Sequence, residues 1–212
     1  MSQLRLPLGL PAGGREAGFI VSDSNAQVVH QLEHWGAWPV MAALLVGPPQ
    51  SGRSLLAHIF AEKAGGTVID DAESADETAI FHAWNAAQRE RHPLLIVAHE
   101  PPPLWEITLP DLRSRLAATP VLRIEAPDDA LIELLAAREL DARELLYKPD
   151  LVAWLARRME RSHAALFRVL DELEADAVRR DSRRLSIPAA RATLAEAGLL
   201  VEPPVDPLSE RS

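Results

Sequence analysis

Gly47-Pro48-Pro49-Gln50-Ser51-Gly52-Arg53-Ser54 follows the spacing G-x-x-x-x-G-[basic]-[ST]. In this pattern the glycines leave backbone N–H groups free to surround a phosphate chain, and the basic residue reaches the terminal phosphates. The hydroxyl at the last position, here Ser54, is where Mg²⁺ would be held. Gly47, Pro48, Gln50, Ser51, Gly52, Arg53, Ser54 and the following Leu55 are therefore the candidate nucleotide-binding residues. The basic residue is arginine rather than lysine, and a guanidinium is wider than an ammonium and prefers a forked contact with two oxygens. The loop is expected to keep its ligand while hydrolysis suffers.

A carboxylate pair, Asp70-Asp71, closes the short apolar run Thr67-Val68-Ile69. Alone it would read as a turn capping the next helix. Within one crossover of a phosphate loop it reads as the metal-sphere carboxylate, Asp70, with a second one, Asp71, to orient water. The seven histidines show no tight ligand spacing beyond a helical His30/His34 pair, so no histidine metal centre is expected. Arg113 and Arg115 stand just ahead of another apolar run, and by spacing alone both are solvated arginines of an amphipathic turn. In oligomeric nucleotidases an arginine at this point crosses the subunit interface and stabilises charge on a neighbour's γ-phosphate. On that logic Arg115 is the candidate catalytic residue, acting on a partner's nucleotide.

These residues need strands and helices in a particular order. The apolar run Val40-Met41-Ala42-Ala43-Leu44-Leu45-Val46 before the loop reads as a buried strand, and residues 55–63 after it as a helix. Ahead of that strand, Ser24 begins a helix bearing Val28, Val29, Leu32 and Trp35. A strand at residues 67–69, a helix carrying Ile80, Phe81, Trp84 and Ala87, and a strand at residues 93–98 follow. A short helix around residues 112–116 and a strand at residues 121–124 complete the alternation, which implies a parallel sheet. Beyond Pro127 every apolar period is helical, so the expected order is a tail at residues 1–18, an α/β core at 19–126, a helical lid at 127–198 and a loose tail at 199–212. The last lid helix should start at Ser186-Ile187-Pro188 and stop at Gly198.

Composition narrows the class. The chain has 212 residues, 48% of them hydrophobic, which is ample for a core. A formal charge of −9 with no long basic run argues against general nucleic-acid binding. Without cysteine there is neither a disulfide framework nor a thiolate metal site. The amino terminus is too broken by proline and glycine for a signal peptide, and no apolar run reaches membrane-spanning length. A cytoplasmic protein with no membrane partner is expected.

Taken in order, the motifs resemble the AAA+ proteins of the DnaA family, and within it the Hda group of DnaA-related regulators. Gln3-Leu4-Arg5-Leu6-Pro7-Leu8 resembles that group's clamp-binding hexapeptide, and Gly52-Arg53-Ser54 its phosphate loop. Ala79-Ile80-Phe81-His82-Ala83-Trp84-Asn85 resembles the helix after the acidic pair. Pro101-Pro102 and Leu109-Pro110-Asp111-Leu112-Arg113-Ser114-Arg115-Leu116 match the sensor 1 end and the arginine-finger box. Leu166-Phe167, Leu170-Asp171 and Arg184-Leu185-Ser186-Ile187-Pro188 match the lid helices. The resemblance runs from residue 3 to about residue 195.

It implies an α/β P-loop AAA+ core, a short parallel sheet flanked by helices, with a small all-helical lid. It further implies bound ADP or ATP with Mg²⁺ at Ser54 and Asp70, and a tail whose Gln3, Leu4, Leu6, Pro7 and Leu8 dock on the β sliding clamp of DNA polymerase III. DnaA would be the second partner, its bound ATP hydrolysed with the help of Arg115, so that replication does not start again; DNA would be met only through the clamp, and self-association is open. Three departures qualify this. The chain between Lys63 and Thr67 is short, so one edge strand and its helix should be missing. His99-Glu100 replaces the polar sensor 1 residues, and Ala164, beside His163, stands where the sensor 2 arginine belongs. Loss of these groups removes polarisation of a γ-phosphate, which points to an activator of a partner's ATPase rather than an ATPase. No helix-turn-helix that would read origin DNA is expected after the lid. An autonomous P-loop ATPase with other cargo, or a nucleotide-free clamp adaptor, would share the same scaffold.

Overall fold

The computed structural model describes residues 18–201, so Gln3, Leu4, Leu6, Pro7 and Leu8 lie outside the described residues. The chain divides into two compact units between Glu125 and Ala126.

In the first unit four parallel strands, β1 (Ala42–Val46), β2 (Thr67–Ile69), β3 (Leu94–Ala98) and β4 (Val121–Arg123), lie in the order β2-β3-β1-β4. The α/β fold class expected from the alternation is the one found. Every residue of β1 and β3 is buried, because a central parallel strand is covered on both faces and must be apolar throughout. Successive side chains point to opposite faces. Ala43, Leu45, Leu95 and Val97 meet α1 (Asp23–Glu33) and α2 (Arg53–Ala64) through Val28, Leu32, Leu56 and Phe60. Ala42, Leu44, Leu94 and Ile96 meet α3 (Glu77–Glu90) and α4 (Pro110–Ala117) through Ile80, Leu112 and Leu116.

Local details differ from the periodicity. The first helix is capped by Ser22, two residues earlier than Ser24, with the Ser22 N–H donating to Asn25 Oδ1 at 2.9 Å. Trp35 leaves the helix for a short 3₁₀ turn at Trp35–Ala37. After α2, Gly65 takes the left-handed conformation that ends helices, at φ 69°. A Cβ on Gly66 would stand 2.8 Å from the Pro93 carbonyl oxygen, so only glycine lets the chain enter β2 this directly. The connection leaves no room for another strand, and β2 is the sheet edge.

The second unit contains α5 (Asp129–Ala142), α6 (Pro149–Ala156), α7 (His163–Arg179) and α8 (Ile187–Glu196). Asp128, Ser162 and Ser186 cap α5, α7 and α8 by accepting backbone N–H groups, which is why those helices begin there. Leu131, Ile132, Leu155, Leu166, Leu170, Leu173 and Leu194 are buried in this unit. Among the described residues one isolated parallel bridge, Leu146 to Arg184, joins the α5–α6 and α7–α8 connections, a non-helical pairing that helical period could not announce.

Candidate nucleotide-binding site

The phosphate loop leaves β1 at the carboxyl end of the sheet, where open α/β sheets place their ligands. Gln50 and Gly52 both adopt positive φ, at 63° and 82°, and this winding turns the chain sharply into α2. Phe19 packs beneath the turn: a Cβ on Gly52 would come within 3.2 Å of its ring. On the other side a Cβ on Gly47 would meet Ile124 at 3.0 Å, so both glycines of the motif are required by close approach.

The amino end of α2 is left open. No side chain caps it, and the helix begins with Arg53 rather than proline. Its first N–H groups are thus available to an anion, with the helix dipole adding to the attraction. Two side chains add to this. Ser51 is only 5% exposed and its buried Oγ has no hydrogen-bond partner. The Arg53 guanidinium reaches over to donate to the Ala98 carbonyl oxygen at the end of β3, and has no carboxylate partner among the described residues. An unsatisfied hydroxyl, an uncapped helix and an uncompensated cation in one loop fit a phosphate group. Ser54 is exposed on the first turn, its carbonyl meeting His58 Nδ1 at 2.6 Å. Leu55 is half-buried against the core beside it.

Asp70 and Asp71 follow β2 and are exposed. The Asp71 N–H donates to Asp70 Oδ1 at 2.9 Å, and Asp71 itself sits in the left-handed region at φ 48°. Residues that sequence reasoning had not connected complete this edge. Glu73 Oε1 accepts the N–H groups of His99 at 2.6 Å and Glu100 at 3.1 Å, and its Oε2 meets His99 Nδ1 at 3.1 Å. Burial works to raise the Glu73 carboxyl, but these hydrogen bonds outweigh it and hold the group below its ordinary range. Glu100 in turn accepts from Arg123 at 3.3 Å. The sensor-like positions are thus wired to their neighbours in the sheet.

Arg115 lies on the α3/α4 side of the same unit. Its Nε donates to Asn85 Oδ1 at 3.0 Å and its guanidinium lies 4.3 Å from the centre of the Phe81 ring. Phe81, Trp84 and Asn85 share one face of α3, spaced for a common partner, but only packing identifies that partner as Arg115. The entry to α4 is held by Glu77, which accepts the N–H groups of Thr108 at 2.8 Å and Leu109 at 2.6 Å. Those two backbone donors, Thr108 first, keep the Glu77 carboxyl below its ordinary range. In the second unit Ala164 and His163 open α7; His163 is 3% exposed, its Nδ1 unpartnered, and burial lowers its proton affinity.

No family model matches the chain. Its structure is similar to domain III of the Thermotoga maritima replication initiation protein DnaA, with a TM-score of 0.65 at 14% identity over 84% of this chain and 94% of that one. It is similar also to the T. maritima RuvB Holliday junction branch migration motor, at TM-score 0.56 and 15% identity over 82% of this chain and 68% of that one. A replication initiator DnaA bound to AMPPCP and single-stranded DNA superposes with a TM-score of 0.53 at 14% identity, covering 77% and 66% of the two chains. The fold shared with these proteins is a four-stranded parallel sheet flanked by helices, followed by a helical unit. At these identities the likeness is one of fold. Among the described residues no helix is long and apolar enough to cross a membrane.

Proposed function

We propose that this chain is a nucleotide-holding AAA+ regulator of chromosome replication, of the Hda type, that acts on DnaA. The observation that carries the reading is the phosphate loop, in which the open end of α2, the unpartnered Ser51 hydroxyl and the uncompensated Arg53 converge. ADP or ATP occupies this loop through Gly47, Pro48, Gln50, Ser51, Gly52, Arg53, Ser54 and Leu55, with Mg²⁺ on Ser54 and Asp70. When bound, the metal neutralises phosphate charge; the chain's own groups bind and orient the nucleotide. With His99 paired to Glu73 and alanine at position 164, neither of these positions supplies a group to polarise a γ-phosphate, which favours ADP over ATP as the resident ligand. The residues 3–8 segment tethers the protein to the β sliding clamp, with leucines entering apolar clefts and Gln3 fixing register. Arg115 then completes the nucleotide site of an ATP-bound DnaA molecule, and hydrolysis leaves the inactive initiator.

The test is hydrolysis of DnaA-bound ATP by the purified full chain with DNA-loaded clamp. Stimulation that needs both clamp and chain is expected, and an arginine finger supplied in trans accounts for roughly 10³ to 10⁵ in rate. Equal stimulation by a variant with Gln3 and Leu6 replaced by alanine would refute the tether. Turnover of ATP by the chain alone at a comparable rate would refute the division of labour.

A further inference from the structure

Parallel pairing of β2 with β3 brings together three side chains that the sequence keeps far apart. Asp71, Glu73 and His99 stand just beyond the ends of these strands, and one ligand atom from each lies within 4.8 Å of the other two. Glu73 is fixed in place by the backbone of β3's exit, as described above. Asp71 and His99 are exposed, and the His99 ring is turned toward Glu73 Oε2. Two carboxylates converge here, yet among the described residues neither forms an ion pair with a lysine or arginine; the one ionic contact is between Glu73 and His99, at 3.1 Å. Elsewhere in this unit Glu100 has Arg123, at 3.3 Å. The cluster is thus negative, unbalanced by a guanidinium or ammonium, and supplied with an imidazole.

We propose that Asp71, Glu73 and His99 form a three-ligand site for a borderline divalent metal ion of the Zn²⁺ class, with water in the fourth position. Mg²⁺ and Ca²⁺ prefer all-oxygen surroundings, whereas an imidazole nitrogen beside two carboxylates suits zinc. Zinc bonds of about 2.0–2.2 Å bring ligand atoms to roughly 3.3–3.6 Å apart, which small rotations of the exposed Asp71 and His99 side chains achieve. His99 exchanges its contact with Glu73 for the ion. The site borders the acidic pair of the candidate nucleotide site, sharing Asp71 with it, but its donors are Asp71, Glu73 and His99 rather than Ser54 and Asp70, so metal binding can be measured without nucleotide.

The experiment uses the full chain, free of nucleotide, titrated with Zn²⁺ in competition with a chromophoric chelator and with Co²⁺ followed by its visible absorption. The stacked His30/His34 pair at the end of α1, with ring centres 4.1 Å apart, is a rival chelator and is removed first by His30→Ala and His34→Ala. In that background one equivalent of Zn²⁺ should still bind. Asp71→Asn, which keeps a residue tolerant of positive φ, and His99→Ala should each weaken it by more than about 100-fold, as loss of a direct ligand exceeds the 10- to 100-fold typical of outer partners. The metal-free melting temperature of Asp71→Asn should stay unchanged, separating ligation from folding. Loss of all binding with His30 and His34, or undiminished affinity in both Asp71→Asn and His99→Ala, would overturn the proposal.

Discussion

Replacing Ser51 with alanine should move the free protein and its nucleotide complex in opposite directions. The Ser51 side chain is 5% exposed and its Oγ has no partner, so the free protein bears the cost of a desolvated hydroxyl, about 1–3 kcal/mol. Alanine removes that oxygen and leaves a methyl in an already close-packed turn, where the Oγ stands 3.3 Å from the Cβ position of Gly47. A gain of about 1 kcal/mol for the nucleotide-free α/β unit follows, or roughly 3–5 °C in its calorimetric transition. In the proposed ADP complex the hydroxyl would donate to a charged phosphate oxygen, a bond worth about 1.5–3 kcal/mol. Its loss should weaken ADP binding by roughly 10- to 100-fold in a calorimetric titration. Ser54→Ala supplies the contrast: an exposed side chain whose loss leaves the free protein unchanged. If Ser51→Ala destabilised the free protein, the hydroxyl would have a partner without ligand; if ADP affinity also held, the loop would not be the nucleotide cradle.

Arg53→Ala should lower ADP affinity by roughly 10-fold or more, while the melting temperature moves little, since the partner the guanidinium gives up among the described residues is the Ala98 carbonyl. Arg115→Ala should abolish stimulation of DnaA ATPase, and it should also cost the free protein about 1–2 kcal/mol in urea unfolding, because the Asn85 hydrogen bond and the Phe81 contact are lost. Glu77 has its carboxyl depressed below 4.5 by the Thr108 and Leu109 N–H groups, so its contribution is full above that value and lost as pH falls through the folded one; Glu77→Gln should flatten this acid-side slope in pH-dependent unfolding. His163 is held below its ordinary 6.5 by burial, so the unfolded chain binds the proton first and the helical unit weakens as pH falls from 6.5 toward the folded value; His163→Leu should remove that slope in thermal melts between pH 7 and 5.

The sequence by itself determined the strand-loop-helix unit and the alternation around it. A central parallel strand is apolar at every position, a phosphate loop needs its glycines at fixed spacing, and a capped helix announces its start, as at Ser186. It also determined that β2 would be reached in a few residues, through Gly65 and Gly66. Only the tertiary structure decided what the charged side chains do. Arg115 rests on Phe81 and Asn85, thirty or so positions away, and Glu73 takes the backbone and ring of His99, because packing across a sheet brings together groups with no periodic relation in the chain. The unpartnered Ser51 hydroxyl belongs to the same class: its residue type is written in the motif, but its burial without a partner arises from the close approach of Gly47, Ile124 and the start of α2.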